Sequence, residues 1–484
     1  MGFGTLDYVV VIMYLVGVAL FGIVRGGAQK SARDYFLGKG EIPWWIVCFS
    51  IVAAETSTLT FISIPGLAYL TNLNFLQVTF GYLIGRIVVA FLLLPAYYKG
   101  ELSTAYAFLE SRFGSKTRSF ASLVFIFTRV AADGVRLFAT AIPLRFILHI
   151  DYPLAVLILA AVALGYTYVG GVRGVIWVDA VQMVIYIGGA LVAAILLVNS
   201  ADGGWVAITH RAWEAGKFQV FNLSLENFWG TPYTLVGGLI GGAFLSMASH
   251  GVDQLIIQRV LTTKSLAASR KALVGSGVLV VLQFALFLVV GLLLYAHYDG
   301  ESVAAMGLTR ADEIFPRYIT QGLPPGVSGI LIAGLLAAAL STLAGSISSM
   351  ASSTVLDLYR PYFGRNVSPE RELTISRLVT VAWAGLLVLS ALFFMNTPQT
   401  VVELALSIAS FTYGGLLGTF LLGVLFKKPT QEDALAGFVA GIFIMITVIS
   451  LNLVAWTWFT FVGVAATLIV GTTLSMLNKR GTAS

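Results

Sequence analysis

Residues 51–69 read IVAAETSTLTFISIPGLAY. Apolar sequence on both sides makes the stretch part of a membrane span. Within it stand one carboxylate (Glu55), five hydroxyls (Thr56, Ser57, Thr58, Thr60, Ser63) and a Pro-Gly pair (Pro65, Gly66) that reads as a break. A charge at the centre of a span costs about 2.5–3.5 kcal/mol on insertion scales. A cation, a paired arginine or protonation must offset that cost. The structural alternative is a helix-interface glutamate held neutral or hydrogen-bonded. The run AETSTLTF also has weak helix propensity, with three β-branched threonines and a serine. If the helix unwinds there, its freed carbonyls are costly in lipid unless they line a cavity or bind an ion. A small hard cation, which prefers oxygen ligands, is the natural occupant.

Composition fixes the setting. The chain has 484 residues, 58% of them hydrophobic and 11% charged, with a mean hydropathy of +0.90. Soluble domains carry about 25% charged residues, so this is an all-α, polytopic membrane protein with no nucleic-acid partner. Its net charge of +6 comes from bases spread singly through short loops. The lone cysteine, Cys48, leaves no disulfide and no cysteine-rich metal site. The four histidines (His149, His210, His250, His297) are not at ligand spacing. No basic residue precedes the first apolar run and no small-residue cleavage site follows it, so it reads as a retained span. The Met-Gly start lacks a myristoylation signal, since residue six is leucine.

A crossing helix needs about 20 mainly apolar residues. Thirteen segments qualify, near 5–25, 43–69, 74–97, 119–147, 152–170, 175–198, 233–257, 270–296, 327–356, 374–394, 400–425, 433–451 and 455–476. One set of alternate loops then carries 21 Lys and Arg residues and the other only 4 (Arg211, Lys217, Arg310, Arg317). The remaining four, Arg86, Arg129, Arg136 and Arg145, fall within spans. A missed span would scramble this alternation. The expected topology is a multi-pass protein of the cell's inner (plasma) membrane, N-terminus outside and C-terminus in the cytoplasm.

The ninth segment is polar like the second, with Ser341, Thr342, Ser346, Ser348 and Ser349 in LSTLAGSISSM. A matched pair of polar, interrupted spans points to a transport site near the midplane. The competing reading of Ser341 and Thr342 is close helix packing with back-bonding to their own helix. Asp179 is either a helix-end carboxylate paired with a base or part of an ion path. Arg136 needs a partner or a ligand; Asp133, one turn away, is the internal candidate. As a ligand contact, Arg136 favours a carboxylate, which its planar fork binds bidentately. Gly251, Asp253 and Gln254 are polar within the seventh segment. Arg259, Lys264, Arg270 and Lys271 behind them read most simply as topology anchors.

The stretch RDYFLGKGEIPWWIVCFSIVAAETSTLTFISIPGLAY resembles the opening of the sodium/solute symporter family. That family includes bacterial sodium-coupled carriers for galactose, proline and sialic acid. GGVRGVIWVDAVQ, DQLIIQRVLTTKSLAASRKA, AAALSTLAGSISSMASSTVLDLY and GTFLLGVLFKKPTQEDALAG match in the family's order, over about residues 33–437. The resemblance implies a single transport domain with a leucine-transporter-like 5+5 inverted repeat. Its parts are an extra helix at 5–25, repeats at 43–198 and 233–425, and two closing helices at 433–476. The first and sixth core helices are expected to be broken.

The resemblance also implies a sodium site of the Ala53, Thr56 and Ala338 carbonyls with the Ser341 and Thr342 hydroxyls. It places substrate positions at Ser57, Thr58, Thr60, Gln77 or Thr79, Arg136, His250, Asp253, Gln254, and Phe411 or Tyr413. The sialic acid carriers look nearest around LTFISIPG. They hold the substrate carboxylate with an arginine on the third core helix, a part open to Arg136. Glu55 departs from them, standing where they have a hydroxyl and the proline carriers an acid. Carriers with a second sodium add two hydroxyls after the Ser-Thr pair and a carboxylate at the position of Asp179. Here the hydroxyl positions are Ala344 and Gly345, so one sodium site is expected.

The expectation is therefore a secondary active transporter, not an enzyme. It draws a small organic solute inward with Na+ as the coupled ion and a monomer as the working unit. A sugar acid such as sialic acid is favoured; sugars and amino acids remain open. One charge crossing 100 mV is worth about 2.3 kcal/mol. The rival is a proton-coupled carrier using Glu55 or Asp179. No nucleophile–base pair or metal-ligand cluster supports a membrane enzyme, and a channel or sensor is the remaining alternative.

Overall fold

In the computed structural model the apolar runs fold as helices, ended by the glycines, prolines and charges between them. It describes residues 3–100, 102–148, 150–201, 203–364, 366–396 and 401–481. The long helices in chain order are α1 (Thr5–Gly26), α2 (Trp44–Glu55), α3 (Thr58–Leu70), α4 (Leu76–Lys99), α5 (Ser115–Leu148), α6 (Tyr152–Ser200) and α7 (Leu235–Gly251). After them come α8 (Gln254–Val260), α9 (Leu266–His297), α10 (Val327–Ser353), α11 (Pro369–Phe393), α12 (Val401–Leu425), α13 (Gln431–Ser450) and α14 (Phe459–Gly481). Among the described residues, eight helices are long and apolar enough to cross a membrane, or ten when each of two bent pairs is one span. The protein is thus an all-α, multi-pass membrane fold.

The two bends position the site. Between α2 and α3 the axis turns by 63°, and between α7 and α8 by 66°. At the first, Thr56 (φ −78°, ψ 103°) and Ser57 (φ −91°, ψ 167°) are extended. The Thr56 hydroxyl donates back to the Val52 carbonyl at 2.7 Å, closing α2, and the Ser57 side chain caps the next helix by accepting from the Thr60 amide. The break falls at these hydroxyl residues, not at Pro65-Gly66. Pro65 lies inside α3, and Gly66 is needed for contact, since a Cβ there would sit 2.6 Å from the Ala311 carbonyl oxygen. At the second bend, Asp253 caps α8 by accepting from the Leu255 amide at 2.9 Å.

α6 runs on for 49 residues but turns at Gly171, whose φ of 56° favours glycine. It packs along α10 and α1, while α4 packs along α7, and α12, α13 and α14 pack on one another with α12 also against α5. The α1–α6 approach depends on glycine: a Cβ on Gly26 would lie 2.1 Å from the Gly170 Cα. The fully buried Asp7 joins α1 to the start of α10. Its Oδ1 accepts from the Gly326 and Gly329 amides, both at 2.7 Å.

Candidate functional site

The first break faces α10, as the two polar segments lead one to expect. Among the described residues no backbone amide reaches the Ala53 or Thr56 carbonyl. The Thr342 hydroxyl lies between the two helices, 3.3 Å from the Ala54 carbonyl and 3.2 Å from that of Ala338. Next to it, the Ser341 hydroxyl donates to Asp179 Oδ1 at 2.6 Å. Thr56 is braced from behind: its hydroxyl meets Gln283 Nε2 at 2.7 Å and the Tyr186 hydroxyl at 3.1 Å. At this spot the end of α2, whose Ala53 and Thr56 carbonyls lack amide partners, meets the Thr342 hydroxyl of α10, and oxygen donors of this kind suit a hard monovalent cation.

A small cavity lies beside that spot. Ser57, Thr58, Asp133, Arg136, Thr140 and Thr342 are among its lining residues, with room for about one water molecule. The Thr58 and Thr140 hydroxyls share a hydrogen bond of 2.8 Å, tying α3 to α5. Thr60 stands 3.5 Å from the Ser57 hydroxyl. Arg136 donates Nη1 to Asp133 Oδ1 at 2.7 Å, the only hydrogen bond of its side chain among the described residues. Its side chain is 27% exposed, so the rest of the guanidinium edge stays open. Both readings of Arg136 thus meet in one side chain, which pairs internally and also faces the cavity.

The other expected substrate residues divide. Asp253 and Tyr413 belong to the same polar network. Arg129 donates to Asp253 and, at 2.9 Å, to the Tyr413 hydroxyl, which donates to Asp253 at 2.8 Å. Asp133 connects this network to Arg136 and accepts from Ser346 at 2.5 Å. His250 lies on the opposite side of the break, with Nε2 3.5 Å from Glu55 Oε2.

Gln77, Thr79 and Gln254 are committed elsewhere. Gln77 bonds the Asn74 and Tyr233 carbonyls and the Asn222 amide. Thr79 bonds back to the Leu76 carbonyl, and Gln254 to the Ala105 amide and Ser352. The Phe411 side chain lies outside the described residues.

The two acids held in view as ion or proton sites each have an arginine. Glu55 accepts from Arg86, which is fully buried and also donates to Ser276 at 2.9 Å. Asp179 accepts from Arg259, which is 1% exposed and therefore not a loop anchor. Sequence reading missed Arg86 and Arg129 as partners, although an arginine inside a span is itself the signal to seek one. Nothing in the sequence marks Gln283, Tyr186 or Ser50.

The family model for the sodium:solute symporter family matches residues 35–441. This chain belongs to the sodium:solute symporter family. The symporter is 30% identical over 471 residues to the sodium/sialic acid symporter NanT of Aliivibrio fischeri, covering 97% of this chain and 92% of the relative. It is 30% identical over 457 residues to the human sodium-coupled monocarboxylate transporter 1, covering 91% and 73%. A solved Na+-coupled sialic acid symporter, substrate-bound and outward-open, superposes with a TM-score of 0.89 at 26% identity, covering 98% of both chains. The symporter is a secondary active, sodium-coupled carrier of a small organic solute, working by alternating access. It belongs to a transporter family, not an enzyme family. The cavity agrees with that cycle: ligand sites are about 300–1,000 Å³, so the flanking helices must part before a solute enters.

Proposed function

We infer that the solute is a sugar acid of the sialic acid type, carried into the cell with sodium and held through its carboxylate by Arg136. The observation that carries this reading is the open guanidinium edge of Arg136. It lines one cavity with Ser57 and Thr58 at the break and with Thr342 on α10. Ion and solute therefore share neighbours: sodium takes the Ala53, Thr56 and Ala338 carbonyls and the Ser341 and Thr342 hydroxyls. The solute takes the other side of the break, with Thr60, Asp253 and Tyr413 within the surrounding polar network, while His250 stands beside Glu55 across the break. Sodium drawing α2 towards α10 favours the solute-competent state, and coupling follows when both ligands prefer that state. The sialic acid specificity of the NanT relative and of the superposed structure supports the choice of solute.

The full arrangement has thirteen spans: the ten with α6 divided in two at Gly171, together with α5 and α12. Residues 43–198 and 233–425 form inverted repeats, each beginning with a bent pair of helices. The N-terminus faces outward, the C-terminus faces the cytoplasm of an inner membrane, and the monomer is the working unit. The proton-coupled alternative is disfavoured by the arginine partners of Glu55 and Asp179, which offset each charge without a proton.

Thermal stability of the purified protein tests this with N-acetylneuraminate, other sugar acids, monocarboxylates and neutral sugars, each in sodium and in choline. A coupled ligand stabilises more when sodium is present. Stabilisation by N-acetylneuraminate only in sodium supports the reading. Stabilisation by neutral sugars alone removes Arg136 as the solute anchor, and a response to pH but not sodium favours proton coupling.

A further inference from the structure

The chain between α6 and α7 puts its polar groups inward and its apolar side chains outward. Its helix, Gly204–Glu214, packs on α6 and α9 and buries only Ile208 and Ala212. Trp205, Val206 and Trp213 are exposed, Val206 by 76% and Trp213 by 74%. The run 218–225 repeats the inversion. The Asn222 amide donates to Gln77 Oε1 at 3.0 Å, and its carbonyl accepts from the Leu235 amide at 2.8 Å. Phe221, Leu223 and Leu225 stand exposed around it, Leu223 by 71%. The Trp213 and Phe218 rings, 6.3 Å apart, join the helix to the run. Single exposed apolar side chains are ordinary, but a joined group of them marks an interaction surface.

Phe80 indicates what covers it. Phe80, Ile84, Ile87 and Phe91 recur at helical spacing along one face of α4. The last three are exposed on a helix long and apolar enough to cross a membrane, so this row faces lipid. The Phe221 ring stacks on Phe80 with centroids 6.4 Å apart and carries the lipid-facing row past the end of the helix. Charge adds nothing to the attraction. Over 204–229 two bases, Arg211 and Lys217, balance two acids, Glu214 and Glu226. Arg211 is paired with Asp299, and His210 lies 3.4 Å from Glu214.

We propose that residues 204–225 are a docking surface for the bilayer itself. Trp205, Val206, Trp213, Phe221, Leu223 and Leu225 sit in the boundary between headgroups and acyl chains beside the ends of α6 and α7. Tryptophan favours that level because its ring is apolar with one polar edge. Attachment comes from apolar area, so zwitterionic lipid suffices. Lys217 passes the anchorage inward. Its amine is buried, donates to the Tyr69 carbonyl in the last turn of α3 at 2.7 Å, and lies 4.3 Å from the centre of the Tyr295 ring. The Gln219 carbonyl accepts from the Leu73 amide at 3.1 Å. The docked segment thus holds the turn between α3 and α4 against the membrane surface.

The test is a depth measurement on purified protein in phosphatidylcholine nanodiscs. Val206→Cys and Leu223→Cys each carry a nitroxide; both positions are exposed, and the buried Cys48 is shielded from the reagent. Ala304→Cys, exposed between α9 and α10, is the aqueous reference, and Ile84→Cys on α4 is the lipid reference. Power saturation against oxygen and a water-soluble nickel chelate should place both labels about 5–10 Å below the phosphates. The depth should not change when phosphatidylglycerol is mixed in. Chelate access equal to that at Ala304 overturns the proposal, since the surface then faces water. Insertion only with phosphatidylglycerol overturns it too, because charge and not apolar area then drives docking. Loss of access to both oxygen and chelate means that a second copy of this chain covers the surface, and the bilayer is not its partner.

Discussion

Glu55 is the last residue of α2, at the first bend, and its carboxylate depends on Arg86. Arg86 is fully buried and Glu55 is 20% exposed. Arg86→Met leaves a carboxylate with only the His250 ring, 3.5 Å away, and breaking a buried pair in this way costs about 3–5 kcal/mol. Glu55→Gln leaves the guanidinium with Ser276 as its charge-free partner, and a similar cost of roughly 3 kcal/mol follows. The double variant removes both charges. Replacement of a buried pair by neutral groups of similar volume is often near neutral, so its cost should stay under about 2 kcal/mol. The cycle then yields a coupling of at least about 4 kcal/mol, far above the roughly 0.5 kcal/mol within which independent sites add.

Reversible unfolding in mixed micelles, followed by helical circular dichroism, measures all four corners. Additive single and double changes would refute the pairing as the reason a carboxylate is tolerated at the break. Sodium-driven uptake should also survive in Glu55→Gln. Its loss together with a pH-driven component would mean that Glu55 carries a proton.

Other outcomes follow from the same geometry. Ser341→Ala/Thr342→Ala removes two oxygen ligands worth about 1 kcal/mol each. The sodium concentration for half-maximal uptake should rise about tenfold or more, and unchanged sodium dependence excludes the pair from the ion site. Arg136→Gln removes charge-assisted bonds worth about 1.5–3 kcal/mol each. Binding of a carboxylate solute should fall by about 100-fold while sodium alone still stabilises the protein; persistent solute binding makes Arg136 purely structural. Asp7→Ala strips the acceptor from the Gly326 and Gly329 amides at the start of α10. Leaving them buried and unpaired should cost about 2–4 kcal/mol, and a change in unfolding free energy within about 0.5 kcal/mol would refute that capping role.

The sequence made the first break legible because polarity and poor helix propensity coincide over Ala54–Phe61. It also offered Pro65-Gly66 as a break, which does not form, since a proline can be accommodated within a helix whose freed groups find other partners. The Arg136–Asp133 pair was legible from its i,i+3 spacing. Glu55–Arg86 and Asp179–Arg259 were not, because they join helices 31 and 80 residues apart in the chain. Arg259 was misread for a physical reason. It stands among loop bases in sequence, but α8 turns back into the core after the second bend and carries it inward. Likewise Gln77 looks like a ligand contact from its place after the break, yet backbone groups from three other residues take up its amide.

The core charges carry a consequence for energetics. Glu55 with Arg86, Asp253 with Arg129, Asp133 with Arg136 and Asp179 with Arg259 bring equal numbers of carboxylates and guanidiniums together. These four pairs add no net charge to the core. One sodium and one monocarboxylate add opposite charges, and the loaded core is neutral as well. Transport of such a solute then draws on the sodium concentration gradient alone, about 1.4 kcal/mol per decade. A neutral sugar or a zwitterion leaves the sodium charge unbalanced and gains a further 2.3 kcal/mol or so per 100 mV. On the proposal that Arg136 selects a carboxylate, that same carboxylate cancels the ionic charge that would otherwise supply electrical driving.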